Sequence, residues 1–294
     1  MKSHKEICNA LKDIHIESVY REWDILKELT LEALQKINGR NRLGCDLLDY
    51  YFFEQRLETI GNKGIHFFEF VEKIEFYKTK KYIQTLLTYC DTHNRYKDNL
   101  IKKYYYCYGL CFGRINAFKI TNALQIYHTF QPKVAIFDPF CGFGGRLVAA
   151  LLLRIHYIGI DLNVDLKDKY AQLMEDLADK IESNVDLLFT DSLKVDFTNY
   201  QYDMVFTSPP YENIEIYKHS TKKTSEEWSV FYKIIFQRLW DAMMPNGTYI
   251  ININEKIYNT ILKPLFGSSL EKILLKKSNK NEYKEYMYIW KKGN

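Results

Sequence analysis

The sequence predicts an α/β fold: a mostly parallel sheet with helices on both faces, an antiparallel last strand, and a mainly helical region in front. Three observations carry this. After Gln131-Pro132, short apolar runs rich in Val, Ile, Tyr and Phe alternate with helix-length stretches, the pattern of parallel strands and crossovers. The final two runs are joined by the short polar segment Ser278 to Glu282, which permits a hairpin but not a parallel crossover of a dozen or more residues. Before Gln131, apolar residues recur at helical spacing.

Taken in order, Trp23, Leu26, Leu29, Leu31 and Leu34 mark one helical stretch and Ile83, Leu86 and Leu87 another. Residues 1–115 are therefore expected to be a helical region, and 116–294 the catalytic domain. Strands are expected at Val134 to Phe140, His156 to Asp161, Val185 to Thr190, Tyr202 to Thr207 and Thr248 to Asn252, then at about 272–277 and 286–292.

With 294 residues, 47% of them hydrophobic, the chain can bury a sizeable core. The net charge of +4 demands no polyanionic partner by itself, so what matters is where positive charge collects. The six cysteines lack metal-site spacing and read as reduced thiols; no metal site is expected. No apolar run approaches the roughly 20 residues of a membrane span, and an intracellular protein is expected.

The first chemical motif is Asp138-Pro139-Phe140-Cys141-Gly142-Phe143-Gly144-Gly145-Arg146, between an apolar strand and the helical run Leu147 to Leu153. Glycines at such a turn let the backbone approach a ligand, and the helix start adds amide donors. A glycine-rich turn alone can equally be a plain strand-to-helix connection. Here a second strand ends in Asp161, about 20 residues on, where an acid can bind ribose hydroxyls. A third ends in Thr190-Asp191-Ser192, with Asp191 either a ligand contact or a helix cap. Strand four runs into Thr207-Ser208-Pro209-Pro210-Tyr211, where the prolines remove donors and leave carbonyls beside a hydroxyl and an aromatic ring. Such an array can accept hydrogen bonds from an amino group and stack a planar base. Cys141 has no evident base beside it and reads as packing or cofactor contact rather than a nucleophile.

These two turns resemble those of the DNA amino-methyltransferases, whose patterns are D-P-F-x-G-x-G and S/N/D-P-P-Y/F, over roughly residues 134 to 292. Glu215, Tyr217, Trp228 and Met244-Pro245-Asn246-Gly247 resemble a phage and viral branch, with Phe143 in place of its usual Trp and Asn246 in place of Gly. The resemblance implies a Rossmann-like class I methyltransferase fold with a seven-stranded sheet and S-adenosylmethionine as cofactor. It has Asp138 hold the methionine end, Asp161 the ribose and Asp191 the adenine amine, with Phe140, Cys141, Gly142, Gly144 and Ser192 around them. It assigns the target nitrogen to Ser208 and the Pro209 carbonyl, with Pro210 completing the turn. Tyr211 would stack on the base, so that Phe there would be milder than Ala. The implied target is a DNA base amine, cytosine N4 ahead of adenine N6. An RNA base amine and a catalytically silent cofactor-binding subunit are the alternatives.

Between Tyr77 and Lys119, nine Lys and Arg residues stand against Asp91 and Asp98, interleaved with tyrosines. Lys102, Lys103 and Arg114 are candidate nucleic-acid contacts here, and Lys218, Lys222 and Lys223 form a second group. Ordinary amphipathic helices with tyrosines in the core explain the first stretch equally well.

Overall fold

The computed structural model describes residues 3–61, 63–212, 223–274 and 285–293. Seven strands, β1 (Ile136–Asp138), β2 (Tyr157–Asp161), β3 (Val185–Phe189), β4 (Met204–Thr207), β5 (Thr248–Asn254), β6 (Glu271–Leu274) and β7 (Glu285–Lys291), form one sheet. Their order is β3-β2-β1-β4-β5-β7-β6. All neighbours are parallel except that β7 runs antiparallel to both β5 and β6. This is the Rossmann-like arrangement expected from the sequence, a mostly parallel seven-stranded sheet with an antiparallel last strand, and each strand lies within a few residues of its expected place. The antiparallel strand inserts between β5 and β6 and leaves β6 at the edge, where Glu271 and Lys272 are exposed and guard it against further pairing.

Strand alternation divides the core into two layers. Ile136, Met204, Phe206, Ile250, Met287 and Ile289 face one side, under helices Ile16–Lys27, Cys45–Glu58, Ile120–Phe130, Gly145–Leu152 and Lys167–Asp176. Phe137, Ile158, Ile160, Val205, Tyr249, Ile251 and Trp290 face the other, under helix Ser225–Ala242.

The core does not divide at residue 115. Val19, Trp23, Leu47, Leu48 and Phe52 share one cluster with Leu147, Val148, Tyr157 and Tyr170, so the first helices form a layer of the sheet domain. Helix Cys45–Glu58 is apolar on two sides: Leu48 and Phe52 face the sheet, while Phe53 and Leu57 face a third cluster built on Phe67, Phe68, Phe70, Ile83 and Ile101. Its one buried acid, Asp49, is neutralised by Lys12 and Arg56.

Phe52 is fully buried, its ring 4.8 Å from that of Tyr170. Phe52→Ala should lower stability by about 3–5 kcal/mol in a single denaturant transition that takes the sheet and the helices together. Unfolding of the helices alone, with the sheet transition unmoved, would contradict the shared core.

Candidate active site

Strand order reverses between β1 and β4, the place where open α/β sheets bind ligands beyond their carboxyl ends. A cleft of about 1250 Å³ opens there, lined by Phe140 to Phe143, Asp161, Asp191, Ser192 and Ser208 to Tyr211, and it continues into the N-terminal helices.

The turn after β1 is clamped from three sides. The Cys141 amide donates to the Ile160 carbonyl at 2.9 Å, the Tyr170 hydroxyl to the Gly142 carbonyl at 2.7 Å, and the Gly142 amide to Asp161 Oδ2 at 2.8 Å. Gly142 lies at φ 58°, the left-handed region that favours glycine. Gly145 is needed for space: a Cβ there would stand 1.9 Å from the Phe118 carbonyl oxygen. Gly144 caps the helix that Gly145 begins.

Three acids at three strand ends occupy three environments. Asp161 lines the cleft and also accepts from the Asn163 amide at 2.8 Å. Burial pushes its carboxyl up to about 6 against the pull of those two amides. Asp191 lines the cleft too, and one of its oxygens caps Leu193 N at 3.0 Å, the capping role that was one of its two sequence readings. The neighbouring Ser192 hydroxyl is turned away, donating to the Pro139 carbonyl at 2.6 Å.

Asp138 departs from the expectation that it faces a ligand. It is fully buried and does not line the cleft. Its oxygens accept from Arg146 Nε at 2.5 Å, the Tyr157 hydroxyl at 2.5 Å and the Thr207 hydroxyl at 2.6 Å. The sequence showed an acid at a strand end; it did not show that an arginine eight residues on would turn that acid inward. Cys141 is likewise buried, and desolvation raises its thiol well above the ordinary range, in keeping with a packing residue.

On the other side of the cleft, the Tyr232 hydroxyl donates to the Pro210 carbonyl at 2.5 Å, while no described residue donates to the Pro209 carbonyl. Ser208 Oγ and the Tyr211 hydroxyl are 3.0 Å apart. Two residues missed in the sequence complete the group. The Asn252 amide reaches Ser208 Oγ at 3.0 Å and Glu285 Oε1 at 2.6 Å, and the Tyr211 hydroxyl donates to Glu285 Oε1 at 2.5 Å. Phe231 and Trp228, one turn apart on helix Ser225–Ala242, add an aromatic wall with Phe140.

The proposed nucleic-acid contacts separate. Lys102 and Arg114 are exposed and line the cleft, Arg114 lying 4.1 Å over the Tyr105 ring. Lys103 does not line it; its ammonium is mostly covered and paired with Asp91. Tyr104 and Tyr108 are core residues, whereas Tyr82, Tyr89 and Tyr96 are exposed. Arg40 and Arg42, overlooked in the sequence, line the cleft from a loop propped by Lys119, which donates to the Gly39 and Asn41 carbonyls. Lys223 lies at the cleft, 5.0 Å over the Trp228 ring. Lys218 and Lys222 lie outside the described residues, as do Glu215 and Tyr217. Among the described residues, one cluster has metal-ligand geometry, His4 with Glu54 and Glu58, and none of the three lines the cleft.

A carboxyl raised by folding favours the folded state while it is protonated. That contribution is complete below the ordinary aspartate range and is lost as pH rises through about 6. Asp161→Asn should therefore gain stability relative to the unmodified chain between about pH 4 and pH 7, by on the order of 1–2 kcal/mol after screening at the cleft. A difference that stays flat over this range, measured by denaturant titration, would show that Asp161 ionises normally.

No protein-family model and no curated protein matches this chain. Solved structures similar in fold include TrmN from Thermus thermophilus (13% identity, TM-score 0.41, covering 58% of this chain and 48% of that one). NSun6 from Pyrococcus horikoshii with SFG is also similar (13%, 0.45, 62% and 53%). A third is an RNA methyltransferase from Salinibacter ruber in complex with S-adenosyl-L-homocysteine (11%, 0.38, 60% and 90%). The chain thus spans about half the length of the Thermus protein, and at such identities the likeness is one of fold.

Proposed function

We propose that this protein transfers a methyl group from S-adenosylmethionine to an exocyclic amino group of a nucleic-acid base. The observation that carries the reading is the meeting of two turns across one switch-point cleft: the Gly142–Asp161 clamp, and the Ser208-to-Tyr211 turn with its acceptors facing the cleft.

The residues present fit the cofactor. Asp161, ionised above about pH 6, offers a carboxylate to ribose hydroxyls, and Leu162 beside it is 41% exposed at the cleft, an apolar surface for a purine. Asp191 keeps an oxygen beyond its capping bond for an amino group. The cofactor supplies an electrophilic methyl group. The chain supplies position: Ser208 Oγ and the Pro209 carbonyl accept the amine's hydrogens and turn its lone pair out of conjugation with the ring. The base must be unpaired or flipped to arrive there, at a cost of a few kcal/mol. The aromatic wall of Phe140, Trp228 and Phe231 offsets part of it by stacking, alongside Tyr211. Arg40, Arg42, Lys102 and Arg114 line the route by which a phosphate backbone would lead in.

The sequence reading placed DNA ahead of RNA on the resemblance of the two turns. No described residue of the cleft distinguishes a deoxyribose from a ribose strand, and the similar Salinibacter protein is named for RNA. RNA therefore stands at least level with DNA as substrate. No described helix is long and apolar enough to cross a membrane.

The test is incubation with methyl-labelled cofactor and single-stranded or duplex DNA and RNA, followed by nucleoside analysis. Label should appear on an exocyclic base nitrogen, more on single strands than on duplexes. Label on a ring carbon would contradict the assigned chemistry, and tight cofactor binding without transfer to any nucleic acid would support the silent-subunit alternative.

A further inference from the structure

We infer that Ser208, Tyr211 and Glu285 form a proton exit from the target amine, with Glu285 as terminal acceptor; this rests on the amine-methylating reading above. The geometry is a directed chain. Ser208 Oγ lies 3.0 Å from the Tyr211 hydroxyl, which donates to Glu285 Oε1 at 2.5 Å. The Asn252 amide nitrogen, with two hydrogens to give, stands 3.0 Å from Ser208 Oγ, 2.8 Å from the Tyr211 oxygen and 2.6 Å from Glu285 Oε1, and so joins the three groups. The phenol proton has two acceptors, Glu285 Oε1 at 2.5 Å and the Asn252 backbone carbonyl at 3.0 Å, of which the carboxylate is the nearer, and with the phenol donating there the serine proton can point at the phenol oxygen. Glu285 is 5% exposed, on the first residue of β7 opposite Asn254, and it lines the cleft. The buried carboxylate accepts hydrogen bonds from the Tyr211 hydroxyl and the Asn252 amide, as a group removed from water requires. Among the described residues, no donor meets the buried Asn252 Oδ1.

The chemistry requires such an exit. As the N–C bond forms and the donor's S–C bond breaks, the nitrogen gains a positive charge and one hydrogen in excess of the product. That proton passes to Ser208 Oγ as the serine proton passes to Tyr211 and the phenol proton to Glu285. The product amine and the thioether are then neutral, and Glu285 carries one proton for later release to water. Among the described residues, the charges on the elements around Glu285 are Glu212 and Lys256, paired with each other at 3.0 Å, Glu255 on the same short helix as Lys256, Glu271 and Lys272 on β6, the latter held over the Tyr286 ring, and Lys291 at the far end of β7.

The relay reverses the sequence expectation for Tyr211, whose ring was to matter more than its hydroxyl. The test measures methyl transfer at saturating cofactor, so that Asp161 does not contribute, in Glu285→Gln, Tyr211→Phe and the double variant. Each single variant should lose roughly tenfold or more in kcat, keep cofactor affinity within about twofold, and lose the acid limb of the pH–rate profile. The double variant should be no worse than either single one. In the protein without nucleic acid, the carboxyl carbon resonance of Glu285, assigned by its loss in Glu285→Gln, should be that of an ionised group at neutral pH. An acid limb retained in Glu285→Gln, additive losses, or a protonated Glu285 at neutral pH would overturn the relay while leaving methyl transfer standing. Failure of the unmodified protein to methylate any nucleic acid would overturn the functional reading and the relay together.

Discussion

The arrangement of the cleft depends on one buried carboxylate. Asp138, on the central strand, binds Arg146 at the start of the following helix, Tyr157 on β2 and Thr207 on β4. A charge removed from water is tolerable only when paired and fully hydrogen-bonded, and here donors from three elements surround a single acid. Arg146 spends its remaining reach on the Phe140 carbonyl at 2.5 Å and lies 5.2 Å over the Phe118 ring. The same pair thus sets the path of the turn after β1 and joins the carboxyl ends of β1 and β4, from which both turns spring, to the first residue of β2.

With the edge so held, side chains of one chemical type take different tasks. Asp138 is an internal anchor, Asp161 an acid raised by burial but open to the cleft, and Asp191 a cap with an oxygen to spare. Burial and donor count separate them, not residue type. Tyrosines divide the same way: Tyr157 and Tyr170 secure backbone and anchor from inside, Tyr232 takes up the Pro210 carbonyl, and Tyr211 joins the cleft to β7.

What was legible in the sequence was whatever depends on local pattern. Short apolar runs located all seven strands, and the strand-end position of Asp161 and Ser208 put them at one edge of the sheet. What was not legible depends on pairing between distant segments. Asn252 ends one apolar strand run and Glu285 stands just before another, 33 residues apart, and nothing short of the β5–β7 register brings them to Ser208. Lys103 counted as positive charge until its pairing with Asp91 was visible. The division at residue 115 followed a change of texture, whereas the core follows the faces of helix Cys45–Glu58. Phe143, standing where the resembling branch has Trp, is 6% exposed and packs in the core beneath the turn.

The central claim is that the turn after β1 and Asp161 receive an adenosyl cofactor while Asp138 stays internal. A crystal structure with S-adenosylhomocysteine tests it most directly. The account predicts ribose hydroxyls on the Asp161 carboxylate, the amino-acid end against the turn at residues 140–142, and Asp138 still bound to Arg146, Tyr157 and Thr207. A ligand that displaces Arg146 from Asp138, or that binds away from Asp161, would contradict it.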